Sequence, residues 1–178
     1  MKKRNIRIFF RIGAAGLAFI MVLGCGYTFT PRGKHIDKRI QRVYVEPFGN
    51  KTSQAQIENL LRTAFINHFI QYSRFKVVGS SEEADATVRG TVLNYYTSAL
   101  SYRPDKLVAQ ERAHIVVQIL FQEKESGKII WSSRNITENI DYRLQDNINL
   151  LPVTRKNALI KLSHDTAEKV VNLMLAGF

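Results

Sequence analysis

Apolar positions recur at helical spacing in two stretches of the chain. Ile57, Leu60, Leu61, Ala64, Phe65, His68 and Phe69 share one side of a 3.6-residue period and predict a helix that runs to about Tyr72. Ser53 and Gln56 ahead of it have the spacing of a capping box. Leu159, Leu162, Ala167, Val170 and Met174 repeat with the same period until Gly177, and Pro152 fits the first turn of that second helix. Between the two, the pattern changes to alternation. Residues 86–100 are rich in Thr, Val and Tyr, residues 113–123 put Ile115, Val117, Ile119 and Phe121 on one face, and residues 129–140 carry the only tryptophan, Trp131. Arg103-Pro104-Asp105 and residues 125–128 are the turns between them, so the three strands read as an antiparallel meander. Shorter strands are expected at 40–48, ended by Pro47, and at 75–78; residues 50–52 read as a turn and 141–151 as a polar loop. The order β-α-β-β-β-β-α predicts an α+β fold: a mostly antiparallel four- to five-stranded sheet with two α-helices packed on one face.

The N-terminus does not belong to this pattern. Lys2, Lys3, Arg4, Arg7 and Arg11 precede an apolar run at 12–23, too short to span a bilayer as a helix, and then small residues follow. These are the parts of a secretory signal. The run ends in Val22-Leu23-Gly24-Cys25, which resembles a bacterial lipobox. That resemblance implies that Cys25 is lipidated and becomes the first mature residue, a role suited to a thiolate nucleophile. No cofactor is expected beyond this covalent lipid, an N-acyl chain and an S-diacylglycerol on Cys25. Gly26, rather than Asp, follows the cysteine and looks like an outer-membrane address. The chain therefore divides into a signal peptide (1–24), a lipidated tether (25–39) and one α+β domain (40–178).

Charge changes meaning once the signal is removed. The full sequence of 178 residues carries 26 Lys and Arg against 15 Asp and Glu, a formal +11. Five of those cations and none of the acids lie in residues 1–24, so the remaining 154 residues carry +6. An exported chain meets little nucleic acid, and no nucleic-acid partner is expected; phosphates on lipid headgroups or lipopolysaccharide are the natural anions for its Arg and Lys.

Little in the sequence points to catalysis. The four histidines, His35, His68, His114 and His164, are scattered, and no metal site is expected. Ser163, His164 and Asp165 are consecutive, and adjacent helix positions point in different directions, so they form no triad with one another. There is no G-x-S-x-G, P-loop or dinucleotide-binding glycine set. The chain is expected not to be an enzyme.

The lipobox leading into Cys25-Gly26-Tyr27-Thr28-Phe29, a strand with Val43-Tyr44-Val45, Phe48 and Asn50, an early amphipathic helix, the meander and a C-terminal helix together resemble the LptE family of lipopolysaccharide-assembly lipoproteins. The resemblance covers nearly the whole chain. It implies an outer-membrane lipoprotein that plugs and helps assemble the large β-barrel LptD, and that binds lipopolysaccharide as the pair inserts it into the outer leaflet. It also implies lipopolysaccharide contact through cations of the second hairpin loop, here Arg103 and Lys106, and of the start of the last helix, here Arg155 and Lys156. Ordinary solvated turn charge is the other reading of these four. Tyr95, Tyr96 and Tyr102 line one strand and are candidates either for the barrel wall or for cross-strand packing.

A second resemblance competes. Pro47, Phe48, Asn50 and Thr52 before a helix, then Ala84, Asp85 and Gly90, are similar to lipoprotein activators of peptidoglycan synthases and their secretion-channel relatives. Only about fifteen residues separate Cys25 from Ile40, a tether reaching at most ~50 Å, which is short for crossing a periplasm.

Overall fold

The computed structural model describes residues 35–105, 107–145 and 147–177. In chain order the elements are β1 (Arg42–Val45), β2 (Gly49–Asn50), α1 (Ile57–Tyr72), β3 (Lys76–Val77), β4 (Ala86–Tyr102), β5 (Val108–Glu123), β6 (Ile129–Arg143), a 3-10 turn (Ile148–Leu150) and α2 (Leu151–Ala176). The α+β expectation holds. The sheet has six strands rather than four or five, in the order β3-β1-β4-β5-β6 with β2 alongside β4, and it is mixed. β4, β5 and β6 pair antiparallel, whereas β1 runs parallel to both β3 and β4 and β2 runs parallel to β4. The parallel part follows from α1, which carries the chain across the sheet between β1 and β3 as a crossover helix. β2 and β3 are two residues each, too short to show a period; β2 includes Asn50, which the sequence suggests is in a turn.

The core lies between one face of the sheet and the two helices. Val43, Val45, Val88, Val92, Ile115, Val117, Ile119 and Phe121 from alternate strand positions are buried against Leu61, Phe65 and Phe69 of α1 and Leu162, Val170 and Met174 of α2. Phe69, Phe75 and Phe121 form a ring cluster with centroids 6.0–6.4 Å apart. Trp131 is packed in the same core. α2 presents Ala158, Ser163, Thr166 and Ala167 along its buried face; small side chains let it lie close, and both hydroxyls donate to carbonyls one turn back. The last residues of the expected tether join this core through Ile36, and Arg74 holds the carbonyls of Ile36, Asp37 and Ile40.

The first helix starts differently from the capping-box expectation. Gln56 sits at the cap with φ of 66° and makes no side-chain cap bond. Asn50, in β2, braces the loop ahead of the helix. Its amide donates to the Gln54 carbonyl (2.9 Å) and to Glu58 (2.8 Å), while its oxygen accepts from the Thr52 N–H and hydroxyl. The second helix ends at Gly177, whose φ of 82° lets its N–H reach the Leu173 carbonyl at 3.1 Å.

Phe48, Asn50, Asp85 and Gly90, among the residues that suggested the competing family, serve this fold. The Phe48 ring lies directly over Gly90, where an added Cβ would come within 2.5 Å of it, and meets Phe65 edge-on at 5.1 Å. Asp85 accepts the N–H groups of Gln41 and Arg42 and pairs with the Arg42 guanidinium at 2.6 Å, fixing β1 beside the start of β4.

Candidate functional site

The free ends of β4, β5 and β6 meet the start of α2 at one end of the domain. The three strands continue well past the point where their apolar alternation stops, through Ser98, Ser101, Gln110 and Asp141, because the ladder holds them. At the hairpin tip the Arg103 N–H donates to the Leu107 carbonyl (2.8 Å) and the Leu107 N–H to Asp105 (3.1 Å). The Arg103 guanidinium donates to the Leu144 carbonyl at 3.1 Å, tying the tip to the end of β6. Lys106 lies outside the described residues.

Arg103 and Arg155 line the same cavity, of about 260 Å³, with Leu107, Glu111, Leu144 and Ile148. Arg155 spans Glu111, its Nη2 at 2.8 Å from one carboxylate oxygen and its Nε at 3.3 Å from the other. The Tyr142 hydroxyl donates to the same carboxylate. Glu111 is only 7% exposed. Burial pushes its carboxyl up, but the Arg155 and Tyr142 hydrogen bonds and the guanidinium charge outweigh that and leave it below the ordinary carboxylate value. The Tyr142 phenol is pushed up, first by burial and then by its bond to Glu111.

A second, larger cavity of about 600 Å³ lies on the other side of Arg155, between the entry to α1, β4 and α2. Lys156 belongs to this one. The structure thus brings Arg103 and Arg155 together and separates Lys156 from Arg103 by the Arg155–Glu111 clamp. The surrounding surface is apolar: Tyr102, Leu107, Ile148 and Val153 are all more than half exposed, with Leu100 and Leu150 at 40%.

Glu111 and Tyr142 are the site residues that sequence reasoning missed. They are direct partners in the β5–β6 ladder. The signal was available, since Glu111 falls in phase with Ala113, Ile115, Val117, Ile119 and Phe121, an acid on the face that is otherwise apolar. Of the three tyrosines, Tyr95 packs against the core while Tyr96, next to it, turns to the opposite face and stacks on His114 at 4.5 Å and 10°. Tyr102 is exposed at the hairpin end.

His164, Asp165 and Glu168 present ligand atoms within 4.8 Å of one another on the exposed side of α2. Glu168 stands four residues after His164, a spacing that the count of scattered histidines passes over. Asp165 is already paired with Lys161, so this turn carries an ion pair rather than an open ligand set. Ser163 faces the core and donates to Leu159, away from His164. No described helix is long and apolar enough to cross a membrane.

The fold recurs among solved structures. A protein of Xanthomonas campestris matches with a TM-score of 0.54 at 10% identity, over 78% of this chain and 85% of that one. Rare lipoprotein B from Shewanella oneidensis matches at 0.50 and 12% identity, over 75% and 93%. The PelC dodecamer from Paraburkholderia phytofirmans matches at 0.50 and 14% identity, over 75% and 88%. At these identities the likeness is one of fold. No curated protein matches the chain. The family model for LptE, lipopolysaccharide-assembly, matches residues 40–174, from just before β1 to the last turns of α2. That span takes in every strand, both helices and the cationic end of the sheet, and the chain belongs to the LptE family of lipopolysaccharide-assembly lipoproteins, a non-enzymatic family of the Gram-negative envelope.

Proposed function

We propose that this chain is an outer-membrane lipoprotein, anchored by acyl chains on Cys25, that plugs and helps assemble the LptD β-barrel and binds lipopolysaccharide during its insertion into the outer leaflet. The family match over 40–174 is the observation that carries the reading. Two or three acyl chains hold a protein at a bilayer where one is marginal. The end of the sheet adds support, because it combines a rim of exposed Tyr102, Leu107 and Ile148 with Arg103, Arg155 and Lys156. An amphiphile with phosphates and acyl chains needs both kinds of surface.

Arg155 is already committed to Glu111, so its guanidinium positions the start of α2. Arg103 at the hairpin-tip cavity and exposed Lys156 are kept as candidates for phosphate, with Lys106 beside Arg103 in the sequence. The motif behind the synthase-activator alternative is absorbed by the fold, as Phe48, Gly90, Asn50 and Asp85 show. Depleting the chain from cells is expected to lower the heat-modifiable, folded form of the barrel and the lipopolysaccharide reaching the surface. Unchanged barrel folding and unchanged surface lipopolysaccharide would contradict the reading.

A further inference from the structure

The free edges of the sheet are not treated alike. β3 is two residues long and carries Lys76. β6 carries Arg134, Glu138, Asp141 and Arg143, and Lys169 of α2 donates to its Thr137 carbonyl at 2.8 Å. Short length, charge and a covering side chain are devices that keep an edge strand from pairing. The remaining edge is the outer half of β4. β1 lies beside residues 86–88 and β2 beside residues 91–92, and the chain then turns away into α1. Among the described residues no strand flanks residues 94–99 on that side.

This edge has neither charge nor cover. No charged residue and no proline occurs between Arg89 and Arg103, and Tyr95, Tyr96 and Thr97 are strand-forming types. Register shifts after Val92 and after Ala99 bound six regular residues. Val88 and Val92 turn their carbonyls outward to the N–H groups of Glu46 and Lys51, both at 2.9 Å. The shift at Leu93 resets the alternation. Asn94, Tyr96 and Ser98 then bond to β5, and Tyr95, Thr97 and Ala99 turn their N–H and C=O groups outward. There is room beside them: the cavity of about 600 Å³ lies between Tyr95 and Thr97 and the entry to α1.

A strand of six residues is about 20 Å long and ~10 Å wide, on the order of 200 Å² against the ~800 Å² per partner of a stable interface. A free second copy therefore finds too little contact here. The edge suits a chain already held elsewhere on the molecule. We propose that residues 94–99 take an extended segment of the partner β-barrel as an added strand, in the lane that β2 leaves. The segment that fits is uncharged, since a charge laid against this edge meets no counter-charge. The occupant rests on the plug function proposed above; the unguarded edge rests only on the sheet.

The test compares the full lipidated chain alone and in its barrel complex by residue-resolved amide hydrogen exchange. Tyr95, Thr97 and Ala99 are expected to exchange about tenfold more slowly in the complex, one main-chain hydrogen bond each. Tyr96 and Ser98, already bonded to β5, stay unchanged. That two-residue alternation marks an added strand, and side-chain contact alone does not produce it. A photoreactive amino acid at position 99 cross-links to the barrel, and one at position 137 on the β6 edge does not. Thr97→Pro removes an outward N–H without breaking the β5 ladder, and Thr97→Lys installs the kind of guard the other edges carry. Each lowers the cross-link from position 99 about tenfold, and Thr97→Val leaves it unchanged. Protection without alternation, or a cross-link indifferent to both Thr97→Pro and Thr97→Lys, overturns the added strand and leaves the plug reading standing. A cross-link to a second copy in place of the barrel overturns the named occupant. A chain that recovers no barrel sinks the plug reading and the occupant with it.

Discussion

Replacing Arg155 with alanine removes one half of the most buried ion pair described in the domain. The Glu111 side chain is 9% exposed and that of Arg155 49%. Breaking a fully buried pair costs about 3–5 kcal/mol because one charge is left without its partner. Water reaches Arg155 here, and Tyr142 still serves the carboxylate in the variant, so about 2 kcal/mol is the expected loss at pH 7. For a domain of this size that is about 6–8 °C in Tm. The pH dependence is the sharper part. In the parent chain the Glu111 carboxyl lies below its ordinary value, so its contribution is present above the unfolded pKa, about 4.3, and is lost as pH falls through the native value. In Arg155→Ala burial becomes the dominant influence and lifts the carboxyl above the unfolded value. Its contribution is then present below about pH 4.3 and lost as pH rises through the raised pKa. The gap between parent and variant therefore widens from pH 4 to pH 7. Urea titrations of the full chain in detergent, followed by the fluorescence of buried Trp131, measure it, with exposed Lys156→Ala as a control expected within about 0.5 kcal/mol. A variant within that margin of the parent at pH 7, or a gap equal at pH 4 and pH 7, refutes the clamp.

Asp85 is held at a pKa of about 2, chiefly by the Arg42 side-chain bond and further by the Gln41 and Arg42 N–H groups acting against burial. Its depressed value means a contribution present above about pH 3.8 and lost as pH falls toward 2. Asp85→Asn is expected to cost about 1–2 kcal/mol at pH 7, after discount for the exposed Arg42, and nothing further at pH 2; equal costs at both pH values would be inconsistent with this. Gly90→Ala drives a methyl into the Phe48 ring, which Phe65 blocks from behind, for a loss of about 1–3 kcal/mol; an unchanged Tm would show that the ring moves freely. Cys25→Ser is expected to abolish metabolic labelling with palmitate and to release the exported chain from the membrane fraction. Retained labelling would place the lipid elsewhere.

The sequence made the long elements legible where one face is apolar. The apolar period of α1 ends at Tyr72 as read, and Ile115, Val117, Ile119 and Phe121 all point inward as their alternation requires. It failed where backbone pairing rather than side-chain pattern decides. The ends of β4, β5 and β6 are polar and are held by the ladder, and β2 and β3 are too short to show alternation. The capping box failed because the helix begins only at Ile57, with Gln56 left-handed at its cap, so Ser53 lies three residues before the cap. At the site, the cations were visible as residue types, but their pairing was not. Arg155 and Glu111 are 44 residues apart, and only the meander's register brings the carboxylate under the start of α2.

The central claim is partnership with an outer-membrane barrel, and co-purification tests it most directly. The lipidated chain is captured from detergent-solubilised outer membranes after brief crosslinking in living cells. The account predicts recovery of a large β-barrel with lipopolysaccharide attached. Recovery of a peptidoglycan synthase with no barrel would contradict it.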